Sequence, residues 1–195
     1  MTLIRCAGML APAIALATVA FAQPDARQPG TQPPSATNSP ESSPQYHGHA
    51  TGQVVIGELA PDFVLDASSG KPIKLSSLRG HWVLLAFGDR KESLASLRDI
   101  QGSLDSAGVT LVGVCGEKAY NLEMYARKVS LPYVLLADVS REISQLYGLY
   151  DGIERIVEPG YLLLTPEGSV RMTLLGQKLP PTDLARLTMY VIKQT

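Results

Sequence analysis

Few side chains in this sequence could carry chemistry, and their spacing limits what that chemistry is. The chain of 195 residues holds 2 cysteines, Cys6 and Cys115, and 3 histidines, His47, His49 and His81. Two serines, Ser93 and Ser96, follow an apolar run that ends at Phe87-Gly88. A serine becomes a nucleophile only with a base in reach. His81 stands at the start of that apolar run, so a strand there carries it to the end opposite Ser96. Ser96 is therefore expected to be an ordinary first-turn helix residue rather than half of a Ser–His pair. Cys115 closes a second apolar run, Thr110-Leu111-Val112-Gly113-Val114. Two readings are open for it. One is a small, partly buried residue at a strand end. The other is a catalytic thiol that forms mixed disulfides or senses oxidants, its pKa lowered by Lys118 against the opposing charge of Glu117. The triplet His47-Gly48-His49 falls short of the three or four oriented ligands that a specific metal site needs. It reads as part of a solvated tail, and neither a metal nor a cofactor is expected.

The elements that must position these groups are legible from the apolar pattern. Residues 63–65 and 72–75 are short strand candidates around the turn Ser68-Ser69-Gly70. Residues 82–87 are apolar almost without a break, as in a central strand covered on both faces. Leu94, Leu97, Ile100 and Leu104 recur at helical spacing, and Gly108 stops that helix. Residues 109–114 predict a second buried strand, and Ala119, Leu122, Tyr125 and Ala126 a second helix. A third strand over 133–137 precedes a short helix marked by Ile143, Leu146 and Tyr147. Residues 161–164 and 170–175 flank the turn Pro166-Glu167-Gly168 as a hairpin. Leu184, Leu187 and Val191 mark a last helix that starts near Pro181 and Thr182. Alternation of this kind implies an α/β domain with a central mixed sheet flanked by helices. The carboxyl ends of strands form the ligand-binding rim of such sheets, which puts Cys115 beside the Ser93–Ser96 loop. Asp138, ahead of Ser140-Arg141-Glu142, has the chemistry of a helix cap. Tyr120, Tyr125, Tyr147 and Tyr150 either line a surface groove or pack at the edge of the core.

The first residues read as a targeting segment. Arg5 supplies one positive charge, residues 10–21 are apolar and rich in Ala, and Ala20-Phe21-Ala22 fits a cleavage site before Gln23. Residues 1–22 are thus expected to be a signal peptide. The rivals are an uncleaved anchor, weakened by Pro12, and a lipoprotein signal, weakened by Arg5 before Cys6. Residues 23–53 are dense in Pro, Ser, Thr, Gln and Gly and predict a disordered linker. Residues 54–195 form one domain. Cleavage leaves Cys115 as the sole cysteine, so it either meets a partner or stays a thiol. A net charge of −1 with no basic block gives no nucleic-acid partner. No stretch after the N-terminus is long and apolar enough to span a bilayer. The expected location is periplasmic or secreted, and the expected partner an unknown protein or thiol of the cell envelope.

Four stretches carry a family resemblance. Gly57-Glu58-Leu59-Ala60-Pro61-Asp62-Phe63 resembles an "APDF" opening, and Gly70-Lys71-Pro72-Ile73-Lys74-Leu75-Ser76-Ser77-Leu78-Arg79-Gly80 the "G-K-x-x-x-L-S-x-x-R-G" that follows it. Leu131-Pro132-Tyr133-Val134-Leu135-Leu136-Ala137-Asp138, with Leu146-Tyr147-Gly148 beyond it, resembles "LPFPLLAD…YG". Pro159-Gly160-Tyr161-Leu162-Leu163-Leu164-Thr165-Pro166-Glu167-Gly168 resembles "P-x-x-F-L-I-D-x-x-G". In this order and spacing they resemble the peroxiredoxin-like branch of the thioredoxin-fold superfamily, which includes the alkyl hydroperoxide reductase, thiol-specific antioxidant and redoxin proteins.

The resemblance implies a thioredoxin-like fold with a peroxiredoxin-like N-terminal β extension, but the active site does not follow. Matching residues 82–87 to the family strand without a gap puts Asp89 at the family proline and Ser93 at its Thr or Ser. Ser96 falls at the peroxidatic cysteine, and Pro159 at an activating arginine. Against the exported thiol-disulfide oxidoreductases, Glu92 and Ala95 fall at the two cysteines of C-x-x-C. Pro159 matches the proline those relatives hold in a cis peptide, which implies a cis Glu158–Pro159 bond. Peroxide reduction needs a thiolate, and a serine neither ionises readily nor forms a recyclable oxidised state. The expectation is a domain that has lost thiol-peroxidase activity and acts as a binding or scaffold module. The alternative is a one-cysteine oxidoreductase using Cys115 with an external thiol. Phe87-Gly88 is also faintly similar to copper chaperones of oxidase assembly, whose cysteine pair and histidine are absent here.

Overall fold

The computed structural model describes residues 54–194. The signal-peptide, linker and His47/His49 expectations lie outside the described residues. In chain order the strands are β1 (Val64–Ala67), β2 (Ile73–Lys74), β3 (Trp82–Phe87), β4 (Val109–Cys115), β5 (Val134–Ala137), β6 (Tyr150–Asp151), β7 (Ile156–Val157), β8 (Gly160–Leu164) and β9 (Val170–Leu175). The helices are α1 (Lys91–Ala95), α2 (Gln101–Ser106), α3 (Ala119–Val129), α4 (Glu142–Leu146) and α5 (Pro181–Lys193). Seven strands share one sheet in the order β2-β1-β5-β4-β3-β8-β9, while β6 and β7 pair as a separate hairpin.

Strand β3 is central because its sequence suits no other place. Every residue from Val83 to Phe87 is buried, and its backbone pairs in parallel with β4 on one side and antiparallel with β8 on the other. Strand β5 continues the parallel set beyond β4, and β1 joins β5 antiparallel to make the N-terminal extension. The sheet divides the core into two layers. Leu94, Leu97, Ile100, Leu104, Leu122 and Leu184 pack on one face, bringing α1, α2, α3 and α5 to that side. Phe63, Leu75, Phe87, Tyr147 and Leu149 fill the other, under α4. Here the family motif has a packing role. The Tyr147 ring stacks against Phe87 at 5.4 Å and meets Phe63 edge-on at 6.0 Å. Its hydroxyl donates to the Pro61 carbonyl at 2.7 Å. Asp62 accepts the Ser76 N–H at 2.9 Å, pinning the extension to the 3-10 turn Leu75–Leu78.

The structure departs from expectation in three places. The helix expected over residues 94–104 is broken into α1, a 3-10 turn over Ser96–Ile100, and α2. Its buried residues explain the break: Leu94, Leu97 and Ile100 are three apart, the spacing that a 3-10 helix stacks on one side, and only Leu104 returns to α spacing. The hairpin β6–β7 was not foreseen. Asp151 accepts the N–H groups of Ile153 and Glu154 at 2.7 and 3.1 Å and so closes its turn. Finally, no peptide bond among the described residues is cis, so Glu158–Pro159 is trans, contrary to the resemblance. The segment stays extended: the Glu158 N–H donates to the Leu149 carbonyl at 2.7 Å, and Gly160 at once enters β8 opposite Phe87.

Candidate functional site

The carboxyl ends of β3, β4 and β5 meet at one rim. Gly88 follows β3 and donates its N–H to the Val114 carbonyl of β4 at 3.1 Å. Asp138 follows β5 and donates its N–H to the Cys115 carbonyl at 2.9 Å. The rim thus brings the Ser93–Ser96 segment and Cys115 together, as the strand order implied. Their side chains nevertheless point to different surroundings.

Ser96 is exposed at the start of the 3-10 turn. Ser93 is exposed too, and its hydroxyl donates to the Arg90 carbonyl at 2.5 Å, a local bond that closes the first turn. Gly88 leaves the room for it, since a Cβ there would stand 2.6 Å from the Ser93 Oγ. His81 sits exposed ahead of the amino end of β3, at the opposite edge of the sheet. Among the described residues neither serine has a histidine base.

Cys115 is fully buried in the layer that holds Leu94, Leu97 and Tyr133. Burial pushes its thiol up to about 12, and the backbone N–H of Glu117 offsets this only in part. The nearby charges are Glu117 and Glu92, which raise it further, and Lys91, which lowers it. The cation beside the sulfur is therefore Lys91 and not Lys118 as expected. Lys91 is already engaged: its Nζ lies 2.6 Å from Glu117 Oε2 and its backbone N–H donates to Oε1 at 3.2 Å. It also stands 5.5 Å above the Tyr125 ring. The pair therefore sets opposing charges near the thiol, and burial dominates over both.

Asp138 performs the capping role read from its sequence, from three residues ahead of the nominal cap at Arg141. It is fully buried and accepts the Ser144 N–H at 2.7 Å, the Ser144 hydroxyl at 2.6 Å and the Ile143 N–H at 3.2 Å. Arg141 takes a left-handed backbone at φ 61° and lays its guanidinium against Gly116, where a Cβ would come within 3.3 Å. Its Nη2 stands 3.6 Å from Asp89 Oδ1, which also accepts the Val157 N–H at 3.2 Å. Asp89 therefore ties the loop after β3 to β7 and to the loop after β5.

A cleft of about 550 Å³ opens at the outer part of the rim, lined by Gly88, Asp89, Arg90, Glu92, Ser93, Val157, Pro159 and Lys178. Of the residues singled out in the sequence, Ser93, Asp89, Glu92 and Pro159 line it, whereas Ser96 and Cys115 do not. The sequence reading missed Arg90, Val157 and Lys178. The Asp151-Gly152 pair, a hairpin signal, could have revealed that β7 returns to this edge. No signal marked Lys178, which lies in the loop before α5. The four tyrosines form no common groove: Tyr147 and Tyr150 pack on the α4 layer and Tyr125 on the other, and Tyr120 is 69% exposed. No cluster of metal-ligating side chains occurs among the described residues, and no helix there is long and apolar enough to cross a membrane.

A thioredoxin-like sheet with this N-terminal extension and this rim defines a peroxiredoxin-like protein. The AhpC/TSA family profile matches residues 56–173, and the chain belongs to that family. It is 32% identical over 118 residues to chloroplastic peroxiredoxin Q of Arabidopsis thaliana, covering 57% of this chain and 54% of that one. The chain thus spans about half the length of that relative. It is 29% identical over 116 residues to peroxiredoxin Bcp of Escherichia coli K12, covering 51% of this chain and 74% of that one. Among solved structures, peroxidoxin BcpB of Mycobacterium tuberculosis matches with a TM-score of 0.64 at 19% identity, covering 72% of this chain and 99% of that one. That likeness concerns the fold.

Proposed function

We propose that this is an exported peroxiredoxin-like domain that has lost thiol-peroxidase chemistry and serves as a binding or scaffold module of the cell envelope. One observation carries the reading: Cys115, the only cysteine among the described residues, is fully buried with its thiol pushed up to about 12. The exposed position that the ungapped match gives to the peroxidatic cysteine holds Ser96. A peroxide must reach a thiolate to be reduced, and neither condition holds at Cys115. Export rests on the segment before Gln23, with its apolar stretch and its Ala20-Phe21-Ala22 site. Fractionation of expressing cells, with the N-terminal residue read by mass spectrometry, tests it.

The activity is tested by mixing the full chain with hydrogen peroxide and dithiothreitol. Consumption of peroxide at the rate of the protein-free blank is expected. Robust turnover that vanishes in Cys115→Ser would overturn the proposal in favour of the one-cysteine oxidoreductase.

A further inference from the structure

The cleft at the outer rim has an unbalanced lining, and the imbalance defines a ligand. Its two carboxylates are already engaged. Asp89 faces Arg141 at 3.6 Å and the Val157 N–H at 3.2 Å. Glu92 is paired with Lys91 at 3.2 Å. Its two cations are not: Arg90 and Lys178 enter no ion pair among the described residues. Arg90 bears on Glu92 only through its field. The apolar part of the lining is Pro159 and the buried Val157. The Ser93 hydroxyl donates to the Arg90 carbonyl at 2.5 Å.

From this lining we infer that the cleft binds a carboxylate carried on an apolar body, with Arg90 and Lys178 flanking the charge and Val157 and Pro159 receiving the body. The inference rests on the reading of this rim as a binding surface and gives that reading a ligand class. The cleft volume of about 550 Å³ lies within the range of small-molecule sites, which combine an apolar wall with a few placed polar groups. A multiply charged ion without an apolar part would leave the wall unused and would face the two carboxylates of the lining. The same chemistry is offered by a medium-chain fatty acid and by the C-terminus of a peptide ending in an apolar residue.

The test is a titration of the isotope-labelled full chain followed by amide chemical shifts. The probes are octanoate, octanamide, inorganic phosphate, and a short peptide ending in leucine as the free acid and as its amide. Saturable shifts at residues 88–93, Val157 and Lys178 are expected with octanoate or the free-acid peptide, the tighter of the two identifying the source. The neutral counterparts and phosphate should bind about tenfold or more weakly, the scale of a lost charge-assisted contact. Arg90→Gln combined with Lys178→Gln should weaken the acid by a similar factor, and Lys178→Arg alone should preserve it. Three results would overturn the inference: no saturable shift with either acid, equal binding of acid and neutral counterpart, or an acid affinity unchanged in the double variant. Peroxide turnover would sink the proposed function whatever these titrations show, whereas their failure would remove only the ligand class.

Discussion

The two halves of the rim differ in a way that separates reactivity from access. The inner half, at the ends of β4 and β5, holds Cys115, Gly116, Asp138, Arg141 and Ser144. There Cys115, the only cysteine among the described residues, is enclosed by a core layer near the Lys91–Glu117 ion pair, and the buried carboxylate has three donors. The outer half, from Gly88 to Ser96 with Val157, Pro159 and Lys178, holds the open cleft, which Ser96 does not line, and carries hydroxyls, charges and the apolar Val157 and Pro159 but no thiol. A solute can enter the outer half, whereas Cys115, the only cysteine among the described residues, is buried in the inner half. On the proposed reading, the strand ends carry packing groups on one side of the rim and a binding cleft on the other.

If the inner half is structural, its substitutions should act on stability. The largest effect is expected for Asp138→Ala. It strands the Ser144 N–H and hydroxyl and the Ile143 N–H at the start of α4, and unpaired buried donors are costly. A loss of about 3 kcal/mol in unfolding free energy is expected from urea titration, since hydrogen bonds to charged groups contribute roughly 1.5–3 kcal/mol each and do not simply add. A loss below about 1 kcal/mol, the mean of ordinary substitutions, would mean that this half is not the rigid part of the comparison.

Next in size is a pH dependence that belongs to Cys115. Its folded pKa lies above the unfolded value, so the folded state keeps a proton that the unfolded chain releases. Stability is therefore whole below about pH 8.5 and is lost as pH rises toward the folded value of about 12. The slope is at most about 1.4 kcal/mol per pH unit. Tyr133 and Tyr147, raised by burial, and Lys91, raised first by its Glu117 hydrogen bond, add losses of the same sign only above about pH 10. Between about pH 8.5 and 10 the wild-type chain should lose stability more steeply than Cys115→Ser. Parallel curves would show that the thiol is solvated and that the two halves are alike.

These contrasts show what a sequence of this kind discloses. The strands were legible because continuous apolar runs and turn residues state burial directly, as at residues 82–87 and 109–114. The shared rim followed from topology, because parallel strands place their carboxyl ends together. Side-chain direction did not follow: nothing local to Cys115 says that its sulfur turns inward, and Lys118 is its neighbour in sequence while Lys91 is its neighbour in space. Likewise Lys178 reaches the cleft from far along the chain, and Asp89 joins Arg141 and Val157 through contacts without periodicity. The broken helix was half legible, since spacing of three instead of three and four was visible at Leu94, Leu97 and Ile100.

A smaller effect is expected from the Lys91–Glu117 ion pair near the thiol. Glu117→Gln removes the charge that holds both the Lys91 ammonium and its backbone N–H. The pair is only partly exposed, at 21% and 22%, so it should contribute more than a fully solvated pair. A cost of about 1 kcal/mol is expected, together with faster alkylation of Cys115 in the native state. Loss of stability without faster alkylation would locate the barrier to Cys115 in the apolar layer and not in the ion pair.

The smallest effect belongs to the outer half and bears most directly on the comparison. Ser96 is exposed and makes no side-chain hydrogen bond among the described residues, so Ser96→Ala should change stability by no more than about 0.5 kcal/mol. Ser96→Cys in the Cys115→Ser background should give a thiol that a disulfide reagent titrates within seconds in the folded protein. The wild-type Cys115 should react only in denaturant. Labelling reads access alone and does not depend on restoring peroxide chemistry. If the cysteine at position 96 resists labelling in the native state, the outer half is as closed as the inner one, and the division of the rim into a packed side and an open side fails.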